Sequence, residues 1–399
     1  MRILICHNFY QQPGGEDQVF AAETALLRQR GHDVETFEIH NDAVESMGKL
    51  SLAAATIWNR KIAADIRSRV RRRRTEIVHF HNTFPLMSPA VYHSARAEGA
   101  AVIQTLHNYR LLCPAATFFR NGAVCEKCLG RMPLPAVMHG CYRDSRAISA
   151  VTATMLTVHR AAGTYSNSID AYIALTHFAK SKFVEAGFES DRICIKPNFL
   201  DPDPGIGAGD GGYALFVGRL TQEKGIEPLL AAWEKVGHSL PLKICGDGPL
   251  AGKVQEAAGK HPSIQWLGRQ PLEKIIELMG RAVMLVFPSL WFEGLPRTIV
   301  ESFATGTPVA ASELGSMKEL VTAGKTGVHF QPGDVPDMAR QILHLAGDGP
   351  ALAAMRGDCR QEYLAKYLPQ RNHDLLMEIY RQAIERRAYM PHGGSVATA

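Results

Sequence analysis

Long apolar runs are the first thing missing from this 399-residue chain: none approaches the roughly 18 residues that a membrane-spanning helix needs. No leader is expected either. Met1-Arg2-Ile3-Leu4-Ile5-Cys6 reads as a short strand, and polar His7 and Asn8 follow it at once, which is not the pattern of a signal peptide. Cysteine is sparse, with eight scattered along the chain, so the disulfide framework of a small secreted protein is excluded. Charge of one sign is scarce as well. Lys and Arg number 44 against 39 Asp and Glu, and the net +5 is too small an excess to imply nucleic acid. Nor does the first strand lead into the Gly-x-Gly-x-x-Gly loop of dinucleotide binders. These absences leave a soluble, cytoplasmic protein as the expectation, long enough for two domains with separate cores.

What is present centres on one stretch. Ala282-Val283-Met284-Leu285-Val286-Phe287-Pro288-Ser289 reads as a buried parallel strand. It runs into Phe292-Glu293-Gly294-Leu295-Pro296-Arg297-Thr298-Ile299-Val300-Glu301, where Pro296 suits the start of a helix that Gly306 and Pro308 end. Strand, loop and helix N-terminus is the place where open α/β sheets hold ligands. Glu293 in the loop and Glu301 in the helix offer carboxylates to paired hydroxyls such as those of a sugar or ribose. On residue type alone, two solvated surface glutamates would explain them as well. A second phrase, Gly218-Arg219-Leu220-Thr221-Gln222-Glu223-Lys224-Gly225, follows the strand Tyr213–Val217 and brackets a tight loop with two cations. Cations fixed there would be worth most against a diphosphate leaving group, whose charge grows in the transition state.

The Glu-x7-Glu phrase, followed by Thr305-Gly306-Thr307-Pro308-Val309-Ala310-Ala311-Ser312, resembles the donor-binding segment of retaining glycosyltransferases of family 4. The resemblance runs from Arg2 to about Tyr380. It implies an α/β chain of GT-B fold, two Rossmann-like domains facing each other across a cleft. It implies that Glu301 binds the nucleotide ribose, that Glu293, Gly294 and Leu295 meet the donor sugar, and that Gly218, Arg219 and Lys224 form the phosphate-binding loop. Gly14 and Gly15, opening the helix after the first strand, match the family's glycine-rich loop facing the donor diphosphate, although a double glycine also marks ordinary turns. His107, ending the strand Ala101–Leu106, matches the histidine that faces the reacting sugar. His81, ending the strand from Ile77, either lines the acceptor side or is a hydrogen-bonded structural histidine. Thr176, Lys180 and Lys182 fall in a family-like Ser/Thr-x-x-x-Lys region near the crevice, and Ile264–Arg269 supplies the strand that cups the base. One phrase departs: the usual Gly-Gly-x-Pro-Glu stands as Leu314-Gly315-Ser316-Met317-Lys318-Glu319.

The domain reading follows. Residues 1–200 form an N-terminal acceptor domain with a cysteine-bearing insert at 110–145. Residues 201–212, rich in Pro, Gly and Asp, form a linker, and 213–368 form the donor domain. A helix over 369–388 crosses back to the first domain, and 389–399 form a disordered tail. Within the insert, Cys113-x11-Cys125-x2-Cys128-x12-Cys141 has the spacing of a four-thiolate structural zinc site, with His139 a substitute ligand; buried thiols or a redox pair are the alternatives. From about Ala54 to Arg74 one basic helix is expected, its charged face either solvated or docked on an anionic membrane surface through residues 60–74, peripheral to the inner face of the cell membrane. The function implied is retaining transfer of a hexosyl group from a nucleotide diphosphate sugar to a hydroxyl of a polysaccharide or lipid-linked glycan, with no catalytic metal. The alternatives are a catalytically silent binding subunit and a nucleotide-sugar 2-epimerase on the same fold.

Overall fold

The computed structural model describes residues 1–11 and 14–389, and the chain divides into two compact units. The first holds Met1–Ala116, Glu126–Pro197 and the chain from Gln370; the second holds Thr117–Cys125 and Asn198–Pro369. In the first, six strands form one parallel sheet: β1 (Arg2–Phe9), β2 (Asp33–His40), β3 (Ile77–Asn82), β4 (Ala101–Leu106), β7 (Ala171–Ala174) and β8 (Ile193–Ile195). Their order is β2-β1-β3-β4-β7-β8. The short antiparallel pair β5 (Phe119–Arg120) and β6 (Ala123–Val124) goes with the second unit. β3 and β4 are buried at every residue, as strands covered by helices on both faces must be.

The second unit repeats the scheme with β9 (Ala214–Val217), β10 (Leu242–Cys245), β11 (Ile264–Gly268), β12 (Met284–Phe287), β13 (Val309–Ser312) and β14 (Gly327–Phe330), in the order β11-β10-β9-β12-β13-β14. Each order reverses once, between β1 and β3 in one sheet and between β9 and β12 in the other. In doubly wound sheets the carboxyl ends of the strands at such a reversal are where ligands are taken. Each unit has its own apolar core. That of the second gathers Phe216, Leu229, Trp233, Leu242, Ile244 and Ile342; that of the first gathers Ile3, Ile5, Phe20, Leu27, Ile77 and Ile103.

Two segments depart from the sequence reading. The basic helix is two helices, Lys49–Ile57 and Arg60–Arg73. Asn59 breaks it: its side-chain oxygen caps the second helix by accepting from the Ile62 amide at 3.2 Å, while its Nδ2 donates to the Leu86 carbonyl at 2.6 Å. The Gly-rich stretch 201–212 is not a free linker. The Gly207, Gly209 and Gly211 amides donate to the carbonyls of Thr305, Gly280 and Arg281, and Arg356 donates to Gly207 O at 2.6 Å, so this strap is pinned along the second unit. Gly207 is needed there, because a Cβ on it would stand 2.2 Å from Gly280 O. The boundary accordingly falls at Pro197, ahead of the strap. The final helix, Pro369–Tyr389, lies from Gln370 onward in the first unit, as expected, and there Leu376, Ile379, Tyr380 and Ala383 complete the core. The expected disordered tail lies, past Tyr389, outside the described residues.

Candidate active-site residues

At the switch point of the second sheet, the loops after β9 and β12 are tied together. Lys224 Nζ donates to Glu293 Oε1 at 2.7 Å, and Ser289 Oγ donates to the same oxygen at 2.5 Å. Leu290 N donates to Glu223 O at 2.8 Å. Gly225 sits at φ 72°, and a Cβ there would lie 1.9 Å from Pro288 O, so only glycine lets the loops approach this closely. The Lys224 ammonium also rides over the rings of Phe287 and Trp291, at 5.6 and 5.2 Å. Glu293 is buried, and Ser316 Oγ donates to its main-chain carbonyl at 2.7 Å. Ser316 thus belongs to the variant phrase 314–319, which holds the Glu293 loop in place despite its altered sequence.

Around this pair stand the other candidates. Gly218, at the end of β9, donates its amide to Cys245 O at 3.0 Å, and the next residue, Arg219, is exposed. Gly294 is half-buried and Leu295 buried, leading through Pro296 into the helix Arg297–Ala304. Glu301 lies buried on that helix, 3.5 Å from the Arg297 guanidinium. Burial pushes its carboxyl above the ordinary range, against the opposing pull of Arg297. The two glutamates are therefore enclosed rather than solvated, and a nearby cation compensates each.

The first unit holds a different cluster. His81 Nδ1 and His107 Nε2 are 2.9 Å apart, with the rings stacked at 5.1 Å between centroids. Behind them Glu23 is fully buried, its Oε2 accepting from Lys196 Nζ at 2.6 Å and its Oε1 lying 3.2 Å from His79 Nδ1 and 3.4 Å from His81 Nε2. Burial would push the Glu23 carboxyl up. Lys196 and the neighbouring rings of His79 and His81 outweigh burial and hold it well below the usual carboxylate range. Burial lowers His81 to about 3 and lowers His107 as well, so both rings are neutral near pH 7. Glu23, His79 and His81 have the spacing of a metal triad, the only such grouping among the described residues. Lys196 already neutralises this carboxylate, and both nitrogens of His79 are engaged, by Tyr380 Oη at 2.9 Å and Thr105 Oγ1 at 2.7 Å, which argues against an ion.

Glu23 and Lys196 escaped the sequence reading. The signal was there: Glu23 interrupts the apolar stripe of Val19, Leu26 and Leu27, and Lys196 ends an otherwise apolar strand. At the first helix, Gly14 N already donates to Asp17 Oδ2 at 2.7 Å, and Asp17 Oδ1 lies 2.7 Å from His7 Nε2. The Gly14 amide is thus spoken for, while Gly15 begins the helix. Thr176 caps its own helix by accepting from the Ala179 amide, Lys180 donates to Ile193 O at 2.7 Å, and Lys182 pairs with Glu126 at 2.6 Å. On the basic helix, Arg67 and Arg71 pair with Glu98, Arg69 with Glu35 and Asp65, and Arg73 with Asp33 and Glu35. No disulfide joins any cysteine, and Cys113, Cys128 and Cys141, which share the first unit, do not come together as a metal-binding group among the described residues.

Residues 206–361, the strap and almost all of the second unit, match the family described as Glycosyl transferases group 1. Over 249 residues the chain is 28% identical to the α-maltose-1-phosphate synthase of Mycolicibacterium smegmatis, covering 53% of this chain and 63% of that one. It spans between 24% and 63% of the length of the first curated relatives it matches. In structure it is similar to sucrose-phosphate synthase from Thermosynechococcus elongatus, with a TM-score of 0.72, 16% identity and coverage of 96% of this chain and 100% of the other. It is also similar to Anabaena HepE in complex with UDP, with a TM-score of 0.67, 15% identity and coverage of 98% and 100%. The chain has the GT-B fold, and its second unit carries the match to the group 1 glycosyltransferases.

Proposed function

We propose that this protein is a retaining glycosyltransferase that moves a hexosyl group from a nucleoside diphosphate sugar to a hydroxyl of a polysaccharide or lipid-linked glycan. The observation that carries the reading is the Lys224–Glu293 pair, which ties the loops after β9 and β12 at the switch point, within the segment that matches the group 1 family. The similarity to HepE in complex with UDP supports a nucleoside diphosphate as the leaving group.

In this reading Glu301 accepts hydrogen bonds from the ribose hydroxyls, while Glu293 orients Lys224 and meets the sugar with Gly294 and Leu295. Arg219 and Lys224 stand against the diphosphate. As the bond from C1 to the phosphate oxygen breaks, negative charge grows on that oxygen, and two fixed cations lower the barrier without a divalent ion. The acceptor oxygen bonds C1 from the same face, and its proton passes to the departing phosphate, so configuration is kept. His107 accepts a hydrogen bond from a hydroxyl of the transferred sugar. The exposed part of the basic helix serves as an electrostatic contact with anionic lipid, a role reduced by the Arg67, Arg69, Arg71 and Arg73 ion pairs.

The test is a thermal-shift panel of nucleoside diphosphates and their sugars, followed by transfer assays on variants. A ligand at a hundred times its dissociation constant should add about 2.7 kcal/mol of stability. Arg219→Ala and Lys224→Ala should each lower kcat by about two orders of magnitude or more, the scale of losing one charge-stabilising group. Glu301→Ala should act mainly on donor affinity. Nucleotide binding without transfer or donor hydrolysis would replace the enzyme by a silent binding subunit, and the absence of any nucleotide response would overturn the donor site itself.

A further inference from the structure

We infer that Glu23 is a positioning residue that sets the tautomer of His107 through His81, so that His107 presents a bare Nδ1 as a hydrogen-bond acceptor; this rests on the reading of His107 given above. The derivation begins with two orphaned atoms. Glu23 Oε1 and His81 Nε2 are both buried, neither makes a well-formed hydrogen bond, and they lie 3.4 Å apart; His79 Nδ1 is nearer to Oε1, at 3.2 Å, but is already engaged by Tyr380 Oη at 2.9 Å. A buried polar atom without a partner is unfavourable, so each is the other's natural complement. An ionised carboxylate can only accept. The His81 proton therefore sits on Nε2 and points at Glu23.

The rest follows by counting protons. A neutral imidazole carries one N–H, so His81 Nδ1 is left as an acceptor. Its neighbour at 2.9 Å is His107 Nε2, which must then be the donor. His107 has its single proton on Nε2, and its Nδ1 keeps a lone pair. That lone pair can receive a hydroxyl proton, whereas the opposite tautomer would direct an N–H at the same hydroxyl. One carboxylate thus fixes two imidazoles in series, as an orienting acid does in other histidine sites. Lys196 keeps Glu23 ionised, and Asn372 Oδ1, 3.2 Å from Lys196 Nζ, ties the arrangement to the final helix.

The experiment uses the full chain labelled with 15N-histidine, and long-range 1H–15N correlation spectra report which ring nitrogen is protonated. A His107→Asn sample assigns the signal. The unsubstituted protein should show His107 protonated on Nε2. Glu23→Gln can turn its amide toward His81 Nε2, moving the His81 proton to Nδ1 and the His107 proton to Nδ1. Combining it with Lys196→Met avoids stranding a buried charge if the single variant fails to fold. The expected kinetic effect is a fall in kcat of about 10- to 100-fold with donor KM changed less than about twofold. Protonation of His107 on Nδ1 in the unsubstituted protein overturns the inference by itself. So does a variant that loses turnover while both tautomers stay as they were, since that marks mere structural damage. If the unsubstituted protein transfers no sugar at all, the functional reading fails, while the spectra still decide the tautomer.

Discussion

The Lys224–Glu293 pair shows how little is left to chance at the residue scale. A long, flexible lysine aimed at a diphosphate would lose much of its value to conformational entropy. Here it is held by a carboxylate at 2.7 Å, flanked by two aromatic rings, and rooted in a loop whose last residue touches the neighbouring loop. Gly225 is therefore as much a part of the proposed donor site as the charges are. Gly225→Ala would place a methyl 1.9 Å from Pro288 O at a φ of 72°, so the two loops would have to separate. We expect a loss of about 1–3 kcal/mol of stability together with loss of the thermal response to nucleoside diphosphates. Gly218→Ala, which meets only the end of the Phe216 ring at 3.2 Å, should keep more of that response. Equal responses from the two variants would show that loop contact does not organise the site.

At the scale of elements, the fold was legible wherever a short apolar run ended in a polar or glycine-rich turn. β3, β4, β9 and β12 all read that way, because a strand covered on both faces has no alternation to mask it. The loops carrying Arg219, Lys224 and Glu293 were legible for the same reason, since they directly follow such strands. Three things were not. The break at Asn59 depends on Leu86 and Ser88, which reach it from far along the chain. The strap 201–212 looked free because its partners are carbonyls, which carry no side-chain signature. Glu23 looked like one more helical carboxylate until Lys196, 173 positions away, was found against it. The final helix was legible as a helix, and its packing gives a prediction. Leu376 is fully buried against the sheet of the first unit, so Leu376→Ala should cost about 2–5 kcal/mol, read as a lower denaturation midpoint. A loss under about 1 kcal/mol would mean that this helix is not part of the core.

Across the whole molecule, two units with separate cores should answer to different ligands, protons in one and nucleotide in the other. Two glutamates of the helix Gly15–Gln29 in the first unit are displaced in opposite directions. Burial, followed by weaker opposing contacts from Tyr10 and Arg110, pushes Glu16 up to about 7. Its folded form holds a proton that the unfolded chain releases near pH 4.3, so its contribution is unfavourable above pH 7 and disappears as pH falls through that window. Glu23 runs the other way. Its carboxyl is held down, so its stabilisation is present above about pH 4.3 and is lost as pH falls through the folded value. Glu16→Gln should therefore raise stability at pH 8 by about 1–2 kcal/mol, discounted for its partial exposure, and change little at pH 4. Hydrogen exchange followed segment by segment separates the two responses. Raising the pH from 5 to 8, after correction for intrinsic rates, should weaken protection in β1, β3 and β4, and Glu16→Gln should restore it. A nucleoside diphosphate should instead strengthen protection in 218–225 and 288–304. If the nucleotide protected the first sheet alone, the donor site would have been assigned to the wrong unit.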